Sequence, residues 1–241
     1  MKSKLLVIGG SGFVGSTLIQ YAYPTYDIHY TYNANKVLHE GITSTQINLL
    51  SDKTEIEVLI KEINPDVIIN TAAQSSVDLC ETNHKIADDL HVDATQNIYD
   101  ICKENNSKLI YLSTDAVFPG KLNTKYTELD MTNPENYYGK TKLRAEQIIN
   151  RSQKNVVLRT AVIYGWHKKS RWTNWILETL QKNTIVDPYI DQYNTPTLVD
   201  DLVKSILKTI EKDVSGLFHA TGKSCINRYD FALELASKFG F

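Results

Sequence analysis

Short aliphatic and β-branched runs alternate along this chain with longer stretches whose apolar positions recur every three or four residues. KLLVIGG (4–10), IHYTY (28–32), STQINLL (44–50), DVIINTAA (66–73), KLIYLSTD (108–115), NVVLRTAVIYG (155–165) and GLFHATG (216–222) read as strands. Between them, GFVGSTLIQYAY (12–23) reads as a helix ended by Pro24. SDKTEIEVLIKEI (51–63) has Ser51 as its N-cap and carries Ile56, Leu59, Ile60 and Ile63 at helical spacing. Residues 83–105, NYYGKTKLRAEQIIN (136–150), TNWILETLQK (173–182), TPTLVDDLVKSILKTIEK (195–212, with Pro196 near its start) and NRYDFALELASKFGF (227–241) complete the helices. The strands show no polar face. A strand apolar on both sides is buried on both sides, which predicts an α/β fold: a doubly wound parallel sheet covered by helices.

Past Gly165 the alternation loosens. The expected division is a nucleotide-binding domain over 1–165, with 195–222 returning to it. Residues 166–194 and 223–241 form a small C-terminal lobe. The chain stops on an apolar helix, so further C-terminal sequence is expected to be missing.

Composition adds exclusions. The 241 residues are 42% hydrophobic and 22% charged, ordinary for a globular protein. A net charge of −2 gives no electrostatic draw to nucleic acid. Three cysteines, Cys80, Cys102 and Cys225, are too few and too scattered for a disulfide framework or a zinc site, and fit a reducing cytoplasm. No metal is expected from the six histidines, which lack ligand spacing. The N-terminal apolar run is too short for a signal peptide, and no run is long enough to span a membrane.

The first chemical signal is GGSGFVG, in which Gly9, Gly12 and Gly15 join the first strand to the first helix. Gly9 suits the tight turn, Gly12 admits a diphosphate to the backbone, and Gly15 allows close helix–strand packing. This is the fingerprint of a Rossmann-type dinucleotide site. An NAD-preferring site carries an acid at the end of the second strand. Here that end reads Tyr30-Thr31-Tyr32-Asn33, and Lys36 just beyond stands where a 2′-phosphate would lie or is simply solvated. NADP(H) is favoured, with NAD(H) as the alternative.

The second signal is a tyrosine four residues before a lysine, which occurs four times among 14 tyrosines. Tyr32/Lys36 and Tyr164/Lys168 cross from strands into loops, and Tyr99/Lys103 sits in a plain amphipathic repeat. Only Tyr138/Lys142 lies on a helix face just after a strand ending in Ser-Thr-Asp. Ketone reduction needs a proton donor at the carbonyl oxygen. A tyrosine with pKa near 10 is made more acidic by a neighbouring ammonium. Thr114 is the hydroxyl that can steady the oxygen as charge develops.

GGSGFVG, PDVIINTAAQSSVDLCE, YLSTDAVFPG, NPENYYGKTKLRAE, LRTAVIYG, DQYNTPTLVDDL and GLFHATG together resemble the extended short-chain dehydrogenase/reductase family, and within it the dTDP-4-dehydrorhamnose reductases. The resemblance runs the whole length. It implies that Thr114, Tyr138 and Lys142 are catalytic. It places Gly9, Ser11, Gly12, Phe13, Val14, Gly15, Asn33, Asn48, Leu49, Ala72, Ala73, Gln74 and Leu112 along the cofactor with Tyr138 and Lys142. Thr114, Asp115 and Val162 would face the substrate. The implied activity is NADPH-dependent reduction of the 4-keto group of a nucleotide-linked 6-deoxy sugar, with no nucleic acid or membrane partner and a homodimer as the admitted assembly.

The chain departs from the family pattern at several points. Asn48 stands for an aspartate near the adenine, Ala116 for a tyrosine, and Val162 for a tryptophan by the sugar. The family's helix asparagine corresponds to Asp93. The family also continues some tens of residues further. Nucleotide-sugar epimerases and dehydratases share the scaffold, and the regulatory subunit of methionine adenosyltransferase is similar too. Of the remaining candidates, the basic loop His167-Lys168-Lys169-Arg171 is expected to be solvated, Trp172 and Trp175 to pack a helix, and Arg159 to sit by the site or in a buried ion pair.

Overall fold

The computed structural model describes residues 2–51 and 53–241. In chain order the elements begin with β1 (Lys4–Ile8), α1 (Phe13–Ala22), β2 (Asp27–Tyr32), β3 (Thr43–Gln46), α2 (Lys53–Ile63), β4 (Val67–Asn70) and α3 (Val77–Thr82). A long helical stretch follows as α4 (His84–Ala87), a π-helical turn (Asp88–Asp93) and α5 (Ala94–Glu104). Then come β5 (Lys108–Thr114), a 3-10 turn (Asp115–Val117), α6 (Tyr137–Ile149), β6 (Val156–Thr160), β7 (Ile163–Tyr164) and α7 (Arg171–Gln181). The chain closes with β8 (Tyr193–Asn194), β9 (Thr197–Leu198), α8 (Val199–Glu211), β10 (Gly216–His219), β11 (Ile226–Asn227) and α9 (Arg228–Phe239).

Seven strands form one sheet in the order β10-β6-β5-β4-β1-β2-β3. Every neighbouring pair in it is parallel. Side chains alternate between faces along each strand. Leu6 and Ile8 of β1 pack with Ile68, Leu109 and Tyr111 against α2, α5 and α6, while Leu5 and Val7 pack with Ile28, Ile69 and Ile110 against α1 and α8. Two apolar faces explain why β1 reads as an unbroken aliphatic run. Each such Leu or Ile contributes about 1.5–3 kcal/mol by leaving water. A separate cluster joins α7 to α9 through Ile176, Phe231, Ala232 and Leu235, with Tyr164 and Trp172 packed against it.

The strands expected over 66–73 and 216–222 end early, at Asn70 and His219, and three further elements differ in ways that bear on the site. The strand expected over 155–165 splits: β6 stops at Thr160, and β7 pairs instead with β9. The helix expected from 195 begins at Val199, because the Thr197 N–H bonds to the Val162 carbonyl at 2.9 Å and holds Thr197–Leu198 extended. Pro196 also disfavours helix in the residue before it. The strand expected over 44–50 ends at Gln46, where the Ser51 N–H turns back to the Asn48 carbonyl. The start of the helix that Ser51 was expected to cap falls on Asp52, outside the described residues.

Candidate active site

Because the sheet is parallel, β1, β4, β5 and β6 all end at one edge, and the chain reverses its direction of travel between β1 and β4. Crevices at such reversal points are where doubly wound sheets hold ligands. The glycine loop leaves β1 here. Gly9 sits at φ +79°, and the Gly12 N–H closes the turn on the Gly9 carbonyl at 2.8 Å. A Cβ on Gly15 would lie 2.4 Å from the Gly9 carbonyl oxygen, so α1 packs this close to the turn only with glycine there. Gly12 caps α1 with no side-chain hydrogen bond, and the first turn carries no acid. The free N–H groups and positive end of the helix dipole therefore face the crevice, and this cradle fits a dinucleotide's diphosphate. Ser11 is buried, and Phe13 and Val14 are half-buried against the core.

The basic loop is not simply solvated. Lys169 donates to the Ser11 carbonyl at 2.5 Å, and His167 stacks on Phe13 while its Nε2 lies 3.1 Å from Ser16 Oγ. Charge and ring stacking draw this loop onto the glycine turn.

The other expected cofactor residues spread along the same edge. Ala72 and Gln74 are half-buried just past β4, and Ala73 beside them is exposed. Asn33 is exposed beyond β2, and Lys36 lies over the Tyr32 ring with its ammonium 5.9 Å from the centroid. Asn48 uses its side-chain oxygen to accept the Leu50 N–H at 3.0 Å, and Leu49 packs against the first core.

Tyr138 and Lys142 come to Thr114 because α6 starts where it does. Asn136 caps the helix by accepting the Gly139 N–H at 2.8 Å. A Cβ on Gly139 would meet the Ala116 carbonyl oxygen at 2.2 Å, so only glycine lets α6 approach the turn after β5. The Thr114 hydroxyl accepts the Ala116 N–H at 3.1 Å and donates to Asp115 Oδ1 at 3.2 Å, on the turn that Gly139 lets α6 approach. Asp115 also accepts from Asn194 Nδ2 at 3.0 Å. Val162 is half-buried, with its carbonyl engaged by Thr197.

The electrostatics differ from the sequence expectation. Lys142 was expected to make Tyr138 more acidic. Burial and the Asp115 carboxylate instead raise the phenol's pKa well above its ordinary value. Lys142 donates to the Leu112 carbonyl at 2.6 Å and lies 4.1 Å from the Tyr111 ring centroid. Burial lowers its pKa to about 7, with Glu146 and Cys80 opposing. Beneath the site, Glu146 holds Arg159 at 2.7 Å and accepts from Ser113 Oγ at 2.5 Å. Arg159 is therefore in a buried ion pair.

The rival tyrosine–lysine pairs fall away. Tyr99 belongs to the first core, and Tyr164 packs on Phe231. Trp172 stacks on the same Phe231, with centroids 4.7 Å apart, as a packing residue would. Asp93 is exposed, so it is not the helix residue that meets the site. That residue is His91, 1% exposed, whose ring sits edge-on to Tyr138. Periodicity gave no signal for it, because the π-turn shifts which side chain points inward.

A family model described as the RmlD substrate binding domain matches residues 3–241. A dTDP-4-dehydrorhamnose reductase from Aggregatibacter actinomycetemcomitans is 30% identical over 193 residues, covering 77% of this chain and 65% of that protein. Methionine adenosyltransferase 2 subunit beta from Bos taurus is 32% identical over 80% of this chain and 60% of that protein. Among solved structures, a hypothetical dTDP-4-dehydrorhamnose reductase from Sulfolobus tokodaii superposes with a TM-score of 0.89 at 29% identity, covering 99% of this chain and 82% of that one. The chain thus spans less than two thirds of the length of these two curated relatives.

Proposed function

The chain belongs to the RmlD substrate binding domain family, and from that premise we propose that it reduces the 4-keto group of a nucleotide-linked 6-deoxy sugar with NADPH. The observation that carries this reading is the packing of α6, with Tyr138 and buried Lys142, against the turn that follows Thr114 at the end of β5, at the sheet edge that also bears the glycine cradle.

When bound, NADPH supplies the hydride that reaches the carbonyl carbon. Gly9, Gly12 and Gly15 with the first turn of α1 would hold its diphosphate, Ala72, Ala73 and Gln74 would line it, and Lys142 would hold a ribose hydroxyl. Tyr138 gives its phenolic proton to the carbonyl oxygen. The raised pKa keeps the phenol protonated at neutral pH but makes it a weaker acid, so its contribution rests on its placement at the carbonyl oxygen. Thr114 turns its hydroxyl from Asp115 to the same oxygen and stabilises the charge developing there. Asp115 and Val162 stand on the sugar's side. Residues 166–194 and 223–241 form the substrate lobe, with 195–222 returning to the sheet. Among the described residues no helix is long and apolar enough to cross a membrane.

The test is the loss of NADPH absorbance when the purified chain meets dTDP-4-dehydrorhamnose, with NADH alongside. Sugar-dependent oxidation is expected, faster with NADPH. The alternative reading is a binding protein that holds the nucleotide without turnover, resembling the regulatory subunit of methionine adenosyltransferase. Tight NADPH binding with no oxidation of this or related 4-keto sugars selects that reading.

A further inference from the structure

The helical stretch 84–104 widens into a π-turn at Asp88–Asp93, and this turn carries His91 into the protein. Its Nε2 accepts the Gln74 backbone N–H at 3.0 Å. A backbone N–H only donates, so Nε2 bears no proton and the neutral ring carries its proton on Nδ1, an assignment made from the network. Nδ1 lies 2.8 Å from Thr141 Oγ1, and Thr141 Oγ1 donates to the Tyr138 carbonyl at 2.9 Å. Donors and acceptors thus run one way, from residue 74 through 91 and 141 to 138. The ring also meets the Tyr138 ring edge-on, with centroids 5.6 Å apart. Burial first, and the Lys142 charge second, push the imidazole's pKa down to about 3, so the ring stays neutral over the working range.

A buried ring with every polar atom satisfied costs desolvation that an apolar residue would avoid. What the polar ring adds is registration. It ties a loop that follows β4 to the first turn of α6, two pieces far apart in sequence. Thr141 immediately precedes Lys142, so the same bridge locates both functional side chains of the helix.

We propose that His91 is a positioning residue: it fixes the separation between the 72–74 strip and the turn of α6 that carries Tyr138. Only its kinetic consequence rests on the reductase reading. A misplacement of about 1 Å at a reacting group costs on the order of 10²-fold in rate.

Two variants separate the outcomes. His91→Phe keeps an aromatic ring and removes both hydrogen bonds, while His91→Gln keeps an acceptor for the Gln74 N–H. Each is titrated with NADPH, following the emission of the bound nicotinamide, and then assayed with dTDP-4-dehydrorhamnose. In His91→Phe, NADPH affinity is expected to stay within about threefold, while bound emission falls toward the free value. Its kcat is expected to drop about tenfold or more with little change in KM. His91→Gln recovers part of both losses. Parental emission and kcat in His91→Phe overturn the proposal. So does a loss in His91→Phe and His91→Gln alike that only tracks a lowered unfolding midpoint. If the parent does not oxidise NADPH, the reductase reading fails and emission alone decides the role of His91. If His91→Phe does not fold, His91→Asn replaces it, keeping a partner for Thr141 and dropping Gln74. Parental emission there overturns the proposal.

Discussion

Lys142 aims its ammonium at the carbonyl oxygen of Leu112, 2.6 Å away on the neighbouring strand. The spacing that puts Lys142 on the same helix face as Tyr138 therefore does not make the two direct partners. Lys142 is 2% exposed, and burial brings its pKa to about 7 from an ordinary 10.5.

That depression sets a pH dependence. Between pH 7 and about 10.5 the unfolded chain binds a proton at Lys142 that the folded chain has released. Stability then rises with pH through that window. Below pH 7 both states are protonated and the folded state carries the full cost of the buried charge. Lys142→Met is expected to remove this term. Urea unfolding of the protein without added nucleotide, at pH 6.5 and pH 9, checks it: the gain in stability on raising pH should shrink in the variant.

Tyr138→Phe removes the proton donor and leaves the ring. Turnover is expected to fall by about 10²–10⁴-fold, the range that positioned acid catalysis supplies. NADPH affinity is expected to change little, since the cradle is untouched. Steady-state rates with a parallel binding titration check this, and parental turnover would remove Tyr138 from the mechanism.

Arg159 and Glu146 are 5% and 2% exposed at the side chain, so breaking one side strands the other charge. Glu146→Gln is expected to destabilise by about 3–5 kcal/mol. Denaturant midpoints measure it. Glu146 also raises the Lys142 pKa, so the same variant should leave that ammonium still less protonated at neutral pH.

Gly139→Ala puts a methyl group 2.2 Å from the Ala116 carbonyl oxygen. The helix must withdraw from the turn after β5, at a cost of about 1–3 kcal/mol. Tyr138 withdraws from Thr114 with it. Turnover is expected to fall by more than the loss of folded protein explains, which calorimetry and rate measurements together resolve.

Much of the scaffold was legible because its strands are apolar on both faces and its helices on one. Leu5 through Ile8 and the face of Ile56, Leu59 and Ile60 announce their burial in the sequence. Tyr138 and Lys142 were legible because local helix geometry alone puts them on one face. What stayed hidden depends on contacts between distant segments. The Thr197 pairing that delays α8, the π-turn that brings in His91 rather than Asp93, and the fold-back of Lys169 onto Ser11 leave no periodic trace. Nor does spacing reveal that burial and the Asp115 carboxylate together raise the Tyr138 pKa.

The strand order also carries a history of assembly. β1 is the first of these strands in the chain and lies inside the finished sheet. β2 and then β3 extend it on one side, after which β4, β5, β6 and β10 are laid down in turn on the other. Each new strand meets an open edge, and none must part a ladder already formed. Growth of the sheet in chain order therefore needs no strand inserted between two already paired. Along the chain the glycine turn comes first, Thr114 at the end of β5 next, and the helix bearing Tyr138 and Lys142 last, so the three parts of the candidate site lie in the order in which the sheet is wound.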